Sequence, residues 1–137
     1  FLDYLKEKNI TNIEILDSLS GKGDSNEAMS VMQDFITKYG DEINAVYTVT
    51  DGMGFGVKSA IETSNLDIKI VSFTGNPQAL AYIAEDTCFT ATMHQDAQAM
   101  GGRCVENILA YLKGETVEAK YLIEPVPVDI SNVAEYQ

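Results

Sequence analysis

Tryptophan is absent from the 137 residues, and histidine, cysteine and proline number only one, two and three. With His94 the single histidine, no two-His zinc motif can form. Cys88 and Cys104 stand outside the close ligand spacings of a metal cluster and have no partner ligands around them, so both are expected to be small buried hydrophobes. Positive charge is also scarce: 9 Lys and Arg face 21 Asp and Glu, a formal net charge of −12. So acidic a surface repels phosphate backbones and anionic lipid heads, which argues against nucleic acid and membrane surfaces as partners. No apolar run approaches the ~18 residues of a membrane span. The start at Phe1, without Met or a basic-then-apolar leader, is what a processed or cut chain would show.

What is present is a globular composition, 45% hydrophobic and 22% charged, at a length that suits one domain with a real core. Helix and strand patterns alternate along it. A helix is expected over residues 1–8, and Ile13, Ile15 and Leu16 read as a short strand. Asp24 and Glu27, three apart, form a capping-box pattern for a helix with Met29, Met32, Phe35, Ile36 and Tyr39 on one face and Gly40 at its end. Residues 43–50 and 68–73 are strands apolar enough to be covered on both faces. A helix capped by Asp51 lies between them, and Asn76–Pro77 opens the next. Residues 88–93 make a fourth strand. The longest helix, 96–113, stacks Ala97, Met100, Cys104, Ile108 and Leu112 along one side. Pro125 and Pro127 mark 121–128 as an edge strand or crossover.

Strand–helix units in series imply an α/β fold, a three-layer sandwich around a mostly parallel sheet. Ligands of such sheets bind beyond the carboxyl ends of the strands. Those ends are 17–24, 50–52, 74–76 and 94–96, rich in hydroxyl and amide groups suited to a neutral polar ligand. Asp51 and Asn76 are expected to cap helices, while Thr50, Thr74 and Gln95 precede the caps and face the crevice.

Gly52, Gly54 and Gly56 follow a strand and precede a helix, but Val57 holds the place of the third glycine of a dinucleotide fingerprint. Close helix–strand approach is the better reading of them. The stretch 21–23 lacks the upstream glycine of a phosphate loop. His94 could act as a base oriented by Asp96, Asp51 or Asp17, yet no Ser elbow, second His or Glu pair accompanies it. No catalytic residue, metal or cofactor is assigned.

The segments VYTVTDGMGFG, IVSFTGNPQAL, TATMHQDAQAMGGRCVENILAYLKGE and PVPVDISNVAEY together resemble the C-terminal part of type I periplasmic sugar-binding proteins. These are the ribose and glucose/galactose class of solute receptors for ABC transporters, and the likeness runs from about Leu16 to Tyr136. It implies one lobe of a two-lobed, hinge-closing receptor. Residues 1–95 would be the C-terminal ligand-binding lobe without its first strand. Residues 96–137, a helix and a terminal strand, would pack on the absent N-terminal lobe. It also implies ligand contacts from Thr50, Asp51, Thr74 and Gln95. Thr74 stands where the family motif has Asp, and Gly23 where sugar receptors place a stacking aromatic. The ligand implied is a small polar molecule, a monosaccharide, and the partner an ABC transporter permease. The location implied is extracytoplasmic, periplasmic or lipoprotein-anchored. The fragment could self-associate through the 96–113 helix. The competing readings are the effector domain of a sugar-responsive repressor, an extracytoplasmic sensor, and a small Rossmann-like enzyme.

Overall fold

The computed structural model describes residues 2–137. The Phe1 end of the expected first helix therefore lies outside the described residues. Helix α1 spans Leu2–Glu7. Helix α2, Ser25–Tyr39, begins where the Asp24 carboxylate accepts from the backbone N–H groups of Asn26 and Glu27 at 2.8 and 3.0 Å. It ends at Gly40, whose φ of 55° suits glycine. A 3-10 turn, Gly40–Glu42, leads into strand β1, Ala45–Tyr47. Helix α3, Asp51–Ser64, strand β2, Lys69–Thr74, helix α4, Pro77–Ala84, and strand β3, Phe89–His94, follow. Helix α5, Ala97–Leu112, strand β4, Val126–Asp129, and a 3-10 turn, Val133–Glu135, complete the chain. No helix among the described residues is long and apolar enough to cross a membrane.

The sheet order is β1-β2-β3-β4, parallel through β3. Val46 pairs with Ile70 and Ser72 with Thr92, so these side chains share one face. That face is covered: Ile70, Ser72, Phe89 and Thr92 are buried against α3 and α4. The rings of Phe55 on α3, Tyr82 on α4 and Phe89 on β3 meet at 5.9–6.1 Å, so both helices lie on the same side. Helix α2 packs on α3 and adds Ala28 and Met32 to the same core. The other face carries Val71 and Tyr47, which are partly exposed. The α/β class and the mostly parallel sheet hold, with α2, α3 and α4 in one layer.

Two glycines set how closely α3 can approach. A Cβ on Gly54 would sit 2.8 Å from the Phe89 ring, and one on Gly56 would sit 1.8 Å from the Ser25 carbonyl oxygen. The glycine series therefore serves packing, against β3 on one side and α2 on the other.

Four expectations are corrected. Residues 13–16 form no strand, and Ile13 and Ile15 are exposed, because no ladder partner stands beside them to take their backbone groups. Thr50 rather than Asp51 caps α3, its hydroxyl accepting from the Met53 N–H at 3.2 Å. The terminal strand does not belong with α5. β4 pairs antiparallel with β3, and Val128 and Val133 are buried in this same core. Pro127 is tolerated because β4 is the sheet edge. Finally, Cys104 is exposed, since α5 buries none of its residues.

Gly56→Ala is expected to lower the unfolding free energy by ~3 kcal/mol or more, because backbone stands where the methyl must go. Gly101→Ala, in open space on α5, should cost nothing. Urea denaturation of both variants checks this; equal stabilities would contradict the close α2–α3 approach.

Candidate functional site

The carboxyl ends of β1, β2 and β3 converge around one buried side chain. Asp51 opens α3 and is 0% exposed. Its Oδ1 accepts a short hydrogen bond from the Ser72 hydroxyl and another from the Thr92 hydroxyl at 2.7 Å. Its Oδ2 accepts from the Thr74 hydroxyl at 2.9 Å and from the Asn76 backbone N–H at 2.6 Å. No cation pairs with it among the described residues. Burying an unpaired carboxylate costs several kcal/mol. Hydrogen bonds to a charged group return ~1.5–3 kcal/mol each, and the positive end of α3 adds up to ~1 kcal/mol. Four donors therefore satisfy both oxygens of the buried side chain.

Around this carboxylate the strand-end turns are locked together. Thr74 has φ +133°, a strained value for a β-branched residue, and its hydroxyl bond to Asp51 holds it there. Gly75 follows with φ +75° and donates its N–H to the Thr92 hydroxyl at 3.3 Å. A Cβ on Gly75 would meet the His94 ring at 2.5 Å, so this turn lies directly on the end of β3. The Gln95 N–H donates to the Thr74 carbonyl at 3.2 Å, tying the third strand end to the second. Asn76 caps α4 and Asp96 caps α5, through the N–H groups of Gln78 and Ala99. Thr48 donates to the Thr50 carbonyl at 3.0 Å and shapes the first turn.

Thr50, Thr74 and Gln95 are partly exposed on this crown. Asp51 lies beneath it, with no oxygen open to a ligand. Gly23, in the loop before α2, has φ +73° and nothing within 4 Å of a Cβ there. Ser72 and Thr92 were not singled out by sequence reasoning. Their signal was available: each is a hydroxyl at an inward position of an apolar strand, and a buried hydroxyl needs a partner.

The arrangement disfavours two of the chemistries considered. His94 packs at a tilt against Tyr136 with ring centroids 5.1 Å apart, and the acids offered as its orienters are engaged elsewhere. Asp51 is held as described, Asp96 caps α5, and Asp17 accepts from Lys38 Nζ at 3.0 Å and the Tyr39 hydroxyl at 2.8 Å. A phosphate at the start of α3 would meet the Asp51 carboxylate, which already occupies the positive end of the helix. Cys88 is half-buried, and burial pushes its thiol up, away from thiolate chemistry. No group of three His, Cys, Asp or Glu among the described residues could hold a metal ion.

Residues 1–116 match the family described as "Periplasmic binding protein domain". The ribose import binding protein of Salmonella typhimurium is 32% identical over 120 residues, 87% of this chain and 38% of that protein. The fructose import binding protein of Bifidobacterium longum is 26% identical over 132 residues, 93% of this chain and 39% of that one. Among solved structures, an ABC transporter solute binding protein from Bacillus halodurans with bound myo-inositol superposes with a TM-score of 0.88. It is 27% identical, over 98% of this chain and 46% of its own. The arabinose transporter's periplasmic binding component from Shewanella, with arabinofuranose bound, gives 0.85 at 27% identity, over 98% and 47%. The chain thus spans less than half the length of the relatives it matches.

The Asp17 contacts generate a direct test. The Lys38 ammonium, then the Tyr39 hydroxyl and the Ser18 N–H, hold its carboxyl at about 2, below the ordinary 3.8. A depressed folded-state value means the latch between residue 17 and α2 is complete above pH ~4. It is lost as pH falls through about 2. A carbon-detected NMR titration should place the Asp17 midpoint near 2; one near 3.8 would show that the latch does not form in solution.

Proposed function

Because this chain belongs to the periplasmic binding protein family, we propose that it is the C-terminal part of a two-lobed solute receptor, with the strand-end crown as one wall of an interlobe cleft. The observation carrying this reading is the crown's chemistry. Thr50, Thr74 and Gln95 converge over a carboxylate that is itself out of reach, so the open groups are hydroxyl and amide. Such a surface suits a small neutral polyhydroxy ligand, and the relatives named for ribose, fructose and myo-inositol support that class. Thr74 in place of a carboxylate, and Gly23 in place of a ring, remove two features that hold a sugar in the resembling receptors. The ligand of this receptor would then lean more on the opposite wall and on Gln95. Binding would proceed by hinge closure, burying the ligand and presenting a closed shape to an ABC transporter permease. The receptor would work outside the cytoplasm, free in a periplasm or tethered as a lipoprotein.

The packing supports a division between two lobes. Residues 16–95 and the returning segment 126–137 share one core. The excursion between them, α5 and the extended stretch to residue 125, exposes Met100, Val105, Ile108, Leu109 and Leu122. An apolar stripe of that kind needs a cover, and the other lobe supplies it in this reading. Beside the outer edge of β1 an apolar groove lined by Leu19, Val31, Met32, Phe35 and Val46 offers the slot for the lobe's first strand. Half a cleft cannot exclude water or surround a ligand, so the lobe alone should bind weakly.

Calorimetric titration of the full-length protein with pentoses, hexoses and inositols tests the reading. At least one should bind, and Gln95→Ala should weaken it by ~1–3 kcal/mol without lowering the melting temperature appreciably, whereas Thr50→Ala, which also removes the cap of α3, should weaken it and lower the melting temperature together. Silence toward every polyol, with a response to an amine or amino acid, would overturn it.

A further inference from the structure

Each of the three hydroxyls around Asp51 has one proton, and each gives it to the carboxylate. Ser72 and Thr92 are buried, and Thr92 also accepts from Gly75, so neither has anything left for a ligand. Thr74 differs, because it is only partly buried and, among the described residues, no donor is bound to its oxygen. Its remaining lone pairs are free while its proton is not. We propose that Asp51 is the positioning residue of this half-site: by accepting the hydrogen bond of the Thr74 hydroxyl it leaves Thr74 only its acceptor capacity toward a ligand. Thr74 thereby selects ligands that present an O–H or N–H donor there.

Two further features lead the same way. The buried charge of Asp51 has no cation beside it among the described residues, so its field reaches the crown through the Thr74 hydroxyl, favouring donors and repelling anions. The strained Thr74 backbone fixes the direction of those lone pairs, since rotation would break the bond to Oδ2 and leave Asp51 with three donors. Thr74 thus acts as a weak, uncharged substitute for an acceptor carboxylate, with the charge set one bond behind it. Specificity at this position resides in Asp51, which the ligand never touches. The inference rests on the proposed reading of the crown as a cleft wall.

The test uses the full-length protein in two measurements. In the first, the Thr74 hydroxyl proton is sought by NMR in water. A slowly exchanging resonance is expected, and a fast-exchanging or absent one overturns the assignment whether or not any ligand binds. In the second, D51N, T74V, T74S and the double variant D51N/T74V are titrated with D-ribose and myo-inositol. T74V and D51N should each weaken binding at least ~10-fold, T74S should recover most of what T74V loses, and the double variant should be no weaker than the poorer single one. D51N that binds normally with a lowered melting temperature would mean a purely structural role and overturn the proposal. If neither polyol binds the unsubstituted protein, the pentose, hexose or inositol that does bind takes their place; if none binds, the receptor reading falls and the hydroxyl resonance alone decides the Asp51 assignment.

Discussion

A carboxylate sealed from water must be satisfied, and that requirement organises the end of this sheet. Asp51 cannot reach solvent, so its two oxygens take four donors from two other strand-end segments, 72–76 and Thr92. Each donor is fixed in place by the same bond that stabilises the charge. The β2–α4 turn, the end of β3 and the start of α3 are thereby held as one piece. Removing the charge would free three hydroxyl rotors and one N–H at once. A surface assembled this way is held as one rigid wall.

The packing beneath the crown makes that convergence possible. Gly54 lets α3 settle onto Phe89, and Gly56 lets it settle onto the start of α2. Only with α3 this close does its first residue fall between β2 and β3. The aromatic trio of Phe55, Tyr82 and Phe89 then closes the layer on the side away from the crown. Where the chain leaves this body, the logic reverses. Helix α5 is a well-capped helix with an apolar stripe and no buried residue, so its shape is locally encoded and its partner is not.

Much of the fold was legible because its signals are local. Asp24 capping α2, the Asn76–Pro77 start of α4 and Asp96 capping α5 are each decided by side chains reaching N–H groups two or three residues on. The misreadings occurred where a distant neighbour decides. Residues 13–16 have strand composition but no ladder partner. β4 looked like part of the α5 excursion, and only its pairing with β3 and the burial of Val128 return it to this lobe. Cys104 reads as apolar on a helical stripe, yet the stripe faces solvent. At the site, Thr50, Thr74 and Gln95 could be placed at strand ends from the pattern alone. That Thr50 rather than Asp51 caps α3 could not, because two adjacent capping residues compete and the sheet decides between them.

By itself, the order of residues determined the alternation of strand and helix, the caps and turns, and the hydroxyl and amide character of the strand ends. Periodicity and capping act within a few residues and need no third dimension. Only the tertiary structure decided that Ser72, Thr74 and Thr92, which lie 21, 23 and 41 positions beyond Asp51, would all meet it. Parallel crossovers bring distant residues side by side, and a buried charge accepts whichever donors that packing delivers. Which hydroxyls are committed as donors to Asp51 is therefore a property of the assembled sheet.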